Sequence, residues 1–191
     1  MERHVPTLDF YIVRRESVEN DVRAVFRPTE LGWIVRCGQE PDIRGKPERG
    51  MPWAVCSSAE DVVETVKDFY RHLAPDYYVF FHPQRQMIKS GNLLVDGALV
   101  LVEAVRGWPE GLSHGKEDPQ AAYEFRVPTL FYEPSRIRGD GSLLSPEELI
   151  RLGMQIERKL RYSGIFSTHP VSVEWSANGL GQISAHDIRV H

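Results

Sequence analysis

The chain has 191 residues, a net charge of −4, and 41% hydrophobic and 26% charged residues, the composition of an ordinary globular protein long enough to bury a core. With a pI near 6.0, there is no overall electrostatic pull towards nucleic acid or a membrane surface, and no apolar run has the length of a bilayer span. Two cysteines, Cys37 and Cys56, are too few for a disulfide framework or a Cys-rich metal site.

Met1 is followed by Glu2, Arg3 and His4 rather than a basic stretch and an apolar run, so no secretory leader is expected and the cytoplasm is the default location. Residues 8–14 read as a strand, 16–26 as a short helix ended by Pro28, and 33–37 as a second strand. Residues 38–52 are charged and punctuated by Gly and Pro, which predicts a loop. Its Arg44, Lys46 and Arg49 form either a solvated charge run or a clasp for phosphates. Ser57 or Ser58 then caps a helix with Glu60 and Asp61 in its first turn and Val62, Val63, Val66, Phe69 and Tyr70 on its apolar face.

After Pro75, strands are expected over 77–81, 87–95 and 98–105, with His82 in the loop that follows the first. The last two are joined at Asp96-Gly97, a strong hairpin signal. Glu103 stands alone in the apolar run ALVLVEAV. An unpaired buried carboxylate is costly, so Glu103 either binds something or faces solvent. A Gly-rich loop, strand-like runs at 123–127 and 130–132 and a turn at 139–142 come next. Ser145, Pro146, Glu147 and Glu148 open a helix to about residue 162, with Leu149, Ile150, Leu152, Gly153, Ile156 and Leu160 towards a sheet. Eight or so mostly antiparallel strands with two long helices give an α+β fold class.

The chain closes on a hairpin built from VSVEW, a turn around 178–181 and HDIR. Alternation places Ser172 with Glu174 on one side of its strand and Asp187 with Arg189 on one side of the other. An even loop sets Glu174 against Asp187 and Arg189, whereas an odd loop brings His186 there. A carboxylate, a second oxygen ligand and a guanidinium on one face suit a Mg-bound polyphosphate. The plainer alternative is a weak cross-strand ion pair on a half-solvated sheet.

Taken in order, VPTLDFYIVRRESV, WIVRCG, VFFHPQRQMIKSGNLL, VEAVRGWPEGLSHGKEDP with Glu103, Gly107, Glu110, Gly115 and Pro119, then Ile156-Glu157, VSVEW and HDIR resemble the nucleotide-binding, ATP-grasp portion of the phosphoenolpyruvate synthase and pyruvate phosphate dikinase family. The resemblance covers nearly all of residues 5–190. It implies a single ATP-grasp-like domain over 1–191, with two lobes of about 1–75 and 76–191, that binds ATP and Mg. It also implies that Arg36, at a strand end, contacts phosphate, that His82 lies at the base edge, and that Glu103 and Arg189 bind the nucleotide. Glu174 becomes a metal carboxylate, and Asp187, where the family has Gln, a second oxygen ligand. On this reading Arg36, Glu103, Glu174, Asp187 and Arg189 converge in one cleft.

Ser172 replaces the Asp of the family's D-I-E-W, and Pro109 and Gln120 also depart from its pattern. The family's Gly-rich segment with its phosphate-binding lysine has no counterpart before Val5, and its phosphohistidine domain and pyruvate-binding barrel have none after His191. The expectation is therefore Mg-ATP binding without the full dikinase reaction: at most a phosphotransferase or ATPase that needs a second protein chain to supply the lysine lobe or the phosphohistidine domain. The alternative is a degenerate, non-catalytic relative that serves as an interaction or structural protein. A nucleic-acid ligand is disfavoured by the acidic balance and the lack of an aromatic RNA motif.

Overall fold

The computed structural model describes residues 7, 9–39, 51–113, 115–126, 132–163 and 169–191. The basic loop residues Arg44, Lys46 and Arg49, His114 and the first two positions of the strand expected at 130–132 lie outside them. The chain forms two compact units, one of Asp9–Arg85 and the other of Gln86–His191 with the N-terminal residues to Leu8.

In the Asp9–Arg85 unit the order is β1 (Tyr11–Val13), α1 (Val18–Val25), β2 (Trp33–Gln39), β3 (Trp53–Cys56), α2 (Ala59–His72) and β4 (Tyr77–Pro83). The strands make an antiparallel sheet in the order β1-β4-β2-β3. Alternation turns Val13, Trp33, Val35, Cys37, Cys56, Val79 and Phe81 to one face, where Val18, Val22, Val62, Val63 and Val66 of the helices complete the core. Both cysteines are buried free thiols, and burial pushes Cys37 up to about 11. Ser58 is the cap of α2: its hydroxyl accepts from the Asp61 amide at 3.0 Å and the Asp61 carboxylate accepts from the Ser58 amide at 3.1 Å. Tyr70 pins the helix to the sheet, donating to the Val13 carbonyl and accepting from the Val79 amide. Strand β3 was not expected, because four residues squeezed between Pro52 and a helix cap carry almost no strand signal of their own.

The second unit contains β5 (Lys89–Asp96), β6 (Leu99–Arg106), a short turn of helix α3 (Glu110–Ser113), β7 (Ala121–Arg126), β8 (Arg136–Gly139), α4 (Pro146–Leu152), α5 (Arg158–Ser163), β9 (Val171–Ala177) and β10 (Ile183–Val190). Its antiparallel sheet runs β10-β9-β5-β6-β7-β8. Asp96 pairs with Leu99 across the turn, where Gly97 takes the left-handed φ of +53° that favours glycine. The Ser145–Glu148 capping box and Pro146 open α4, and Leu149, Leu152, Ile156 and Leu160 bury themselves against Leu93, Val102, Tyr123, Val173 and Trp175.

Three expectations are corrected here. The helix expected to run unbroken to residue 162 passes through a π-helical stretch, Gly153–Glu157, between α4 and α5, and Ile150 is 38% exposed instead of covered by the sheet. Around that stretch the Tyr132 hydroxyl donates to the buried Glu157 carboxylate at 3.1 Å, and Arg161 pairs with the same carboxylate. Burial and the neighbouring carboxylate push Tyr132 up to about 12. Tyr132 itself lies outside any strand, with φ of +50°, and the edge strand is β8, in a segment for which no strand is expected. Among the described residues no helix is long and apolar enough to cross a membrane.

Candidate functional site

One face of the six-stranded sheet is covered by the helices, and the other carries the polar side chains. Register aligns them across the strands: Asp187 of β10 pairs with Glu174 of β9, Glu174 with Asn92 of β5, Asn92 with Glu103 of β6, and Glu103 with Ala122 of β7, which pairs with the exposed Arg138 of β8. Neighbouring strands lie about 4.8 Å apart, so the four central groups form a continuous polar row. Asn92 donates to Glu103 at 3.3 Å. Arg189 donates through Nε to Asp187 at 2.6 Å and through Nη2 to Glu174 at 3.3 Å. Glu174 and Glu103 are half-buried and Arg189 is exposed.

Asp187 reaches this face through a β-bulge. The turn pairs Ala177 with Ile183 and Ala185 with Trp175, and a regular continuation would set His186 against Glu174. The ladder shifts after Ala185, so that Asp187 takes that place and His186 is the extra residue. Its Nε2 lies 2.6 Å from the Ser176 hydroxyl. Without the shift, Asp187 and Arg189 would oppose Val173 and Val171, both fully buried, and burying those charges against valine is costly. Alternation alone leaves the choice between Asp187 and His186 open, and the bulge makes it.

The structure thus brings Glu103, Glu174, Asp187 and Arg189 together on one face of one unit. Arg36 and His82 belong to the Asp9–Arg85 unit. Arg36 is half-buried in the middle of β2, not at a strand end, opposite Phe80 and Trp53. His82, expected in a loop, is in β4 and 4% exposed, with Nδ1 3.1 Å from the Pro83 carbonyl. Burial, then the Arg36 and Arg85 charges, hold its pKa below the ordinary histidine value. Glu103 faces the polar side, which resolves the cost expected for a buried carboxylate. The residue that sequence reasoning missed is Asn92, although the two-residue turn after Asp96 already pairs position 92 with 103.

No family model matches the sequence, and no curated protein matches it. Solved structures do. Among them are the ADP complex of N5-carboxyaminoimidazole ribonucleotide synthetase (TM-score 0.55, 13% identity, 98% of this chain and 41% of that one), D-cycloserine synthetase DcsG (0.53, 12%, 98% and 58%) and the D-alanine-D-alanine ligase of Coxiella burnetii (0.50, 11%, 97% and 43%). The chain has an ATP-grasp-like fold. It spans between 41% and 58% of the length of these three proteins, and at such identities the likeness is one of fold.

The donor chemistry of the row is of the kind that magnesium takes. The groups on offer are carboxylates and an amide, hard oxygen donors of the kind Mg prefers. Among the described residues no three His, Cys, Asp or Glu side chains are grouped so as to hold an ion by themselves. Two opposed carboxylates without a third suit an ion that arrives with phosphates rather than one caged by protein.

Proposed function

We propose that this ATP-grasp-like chain binds a Mg-nucleotide on the polar face of its six-stranded sheet and corresponds to the ATP-binding portion of a phosphoenolpyruvate synthase-type protein, without running the dikinase reaction by itself. The observation that carries this reading is the row Asp187, Glu174, Asn92 and Glu103 with Arg189 beside it. Glu174 and Asp187 would hold the ion, whose chemistry when bound is to neutralise phosphate charge. Arg189 offers the planar fork that pairs phosphate oxygens two at a time, and Glu103 serves as a nucleotide contact. Arg36, the phosphate contact that the resemblance implies, belongs to the Asp9–Arg85 unit. His82, 4% exposed and with Nδ1 engaged by the Pro83 carbonyl, is left out of the proposed site. A second protein chain that supplies a lysine lobe or a phosphohistidine domain remains part of this reading.

Calorimetry with Mg-ATP on the whole chain tests it. Glu174→Ala should lower affinity by about tenfold or more, the cost of a lost interaction with a charged group, while leaving the thermal unfolding midpoint close to the wild type, because Glu174 is outside the core. Unchanged affinity, or no binding by the wild type, would favour the interaction-protein alternative. If Glu174→Ala unfolds, the isosteric Glu174→Gln makes the same comparison.

A further inference from the structure

Arg189 stands where a cation is needed. Glu174 and Asp187 are directly opposed on adjacent strands, and like charges in that arrangement repel. The guanidinium answers both at once, 2.6 Å from the Asp187 carboxylate and 3.3 Å from that of Glu174. Its side chain is 45% exposed whereas that of Glu174 is 20% exposed, so Arg189 lies on the solvent side of the pair and can swing away without disturbing packing.

We propose that Arg189 is an internal counter-ion that occupies the Glu174 and Asp187 carboxylates until nucleotide phosphates draw it off and leave them to a divalent cation. The proposal rests on the Mg-nucleotide reading and adds a regulation to it: metal and nucleotide bind cooperatively. With no phosphate present, a guanidinium displaced by a metal ion loses both anionic partners and gains only water. With phosphate present, the same guanidinium exchanges carboxylate partners for phosphate ones. Each ligand therefore removes part of the other's cost, and linkage makes the effect reciprocal.

The test uses Mn²⁺ as the probe, followed by electron paramagnetic resonance on the full chain with and without ADP. Arg189→Gln should bind Mn²⁺ alone about tenfold more tightly than the wild type, the size of an ordinary coupling between sites. ADP should tighten Mn²⁺ binding to the wild type by a similar factor and lose most of that effect in the variant. Arg189→Lys, which keeps the charge, should behave like the wild type towards Mn²⁺ alone. Mn²⁺ affinity that is unchanged or weaker in Arg189→Gln overturns the proposal. The two readings separate cleanly. Tighter Mn²⁺ in Arg189→Gln with no ADP effect on the wild type sinks nucleotide binding but leaves the counter-ion. An ADP effect without tighter Mn²⁺ in the variant does the reverse.

Discussion

His82 sits at 4% exposure on β4, where burial disfavours the imidazolium and the charges of Arg36 and Arg85 disfavour it further. In the unfolded chain a histidine titrates near 6.5. Above that pH both states hold a neutral ring and the group contributes nothing to pH dependence. As the pH falls through about 6.5 the unfolded chain takes up a proton that the folded one refuses, so stability declines towards acid. Asp21 is held well below the usual range by its bond from Arg14, and Asp140 by bonds from Ser142, so what they contribute is lost only in stronger acid. Urea midpoints measured from pH 7.5 to pH 5.5 should fall for the wild type and stay flatter for His82→Gln. Parallel curves would show that His82 is not the group responsible.

At the scale of elements, the π-helical stretch between α4 and α5 begins at Gly153, where the helix passes close to a ring. A Cβ added at Gly153 would lie 2.0 Å from Cε1 of Tyr132. That ring is 8% exposed, bonded to Glu157 and covered by the Arg158 guanidinium, 5.3 Å from its centroid, so it has little room to retreat. In an unencumbered helix Gly→Ala stabilises by roughly 1 kcal/mol. Here Gly153→Ala should instead destabilise by about 1–3 kcal/mol, as overpacking does. Urea denaturation reads the sign directly, and a stabilised variant would show that Tyr132 does not wedge the helix. The bulge in β10 belongs to the same scale. It sets Ile188 and Val190, opposite Val173 and Val171, on the same side of the sheet as the buried Ile183 and Ala185, which an unbroken alternation cannot do.

For the whole molecule, the ATP-grasp-like fold is shared with enzymes at 11–13% identity, so it speaks to architecture, and chemistry has to be read from the site. These 191 residues do not contain the T-x-x-G-G-x-x-S-H-x-A context through which the dikinases pass a phosphoryl group. Incubated with ATP, Mg and pyruvate, the chain should form no phosphoenolpyruvate detectable by phosphorus NMR. Slow ATP hydrolysis is the most expected of it, since arginines and a metal ion polarise phosphates even with no acceptor in place. A phosphoenolpyruvate signal from protein free of contaminating synthase would refute this.

Local chemistry made several features legible in advance. The α+β class, the Asp96-Gly97 hairpin, the caps of α2 and α4 and the paired sides of VSVEW and HDIR all follow from residues within a few positions of one another. Even the bulge left a trace, because the apolar positions of the last strand change parity between Ala185 and Ile188. Tertiary structure decided what depends on distant neighbours. Asn92 stands between Glu103 and Glu174 only because β5 pairs with β9, a contact between segments far apart in the chain with no local signature. His82 is a buried strand residue and Gly153 lies against a ring for the same kind of reason: their neighbours, Ile34 across the sheet and Tyr132 beside the helix, arrive from elsewhere in the sequence. Propensity and alternation set which way a side chain points along its own strand, but the free energy of a polar row, a wedge or a buried ring is set by the neighbours that packing supplies.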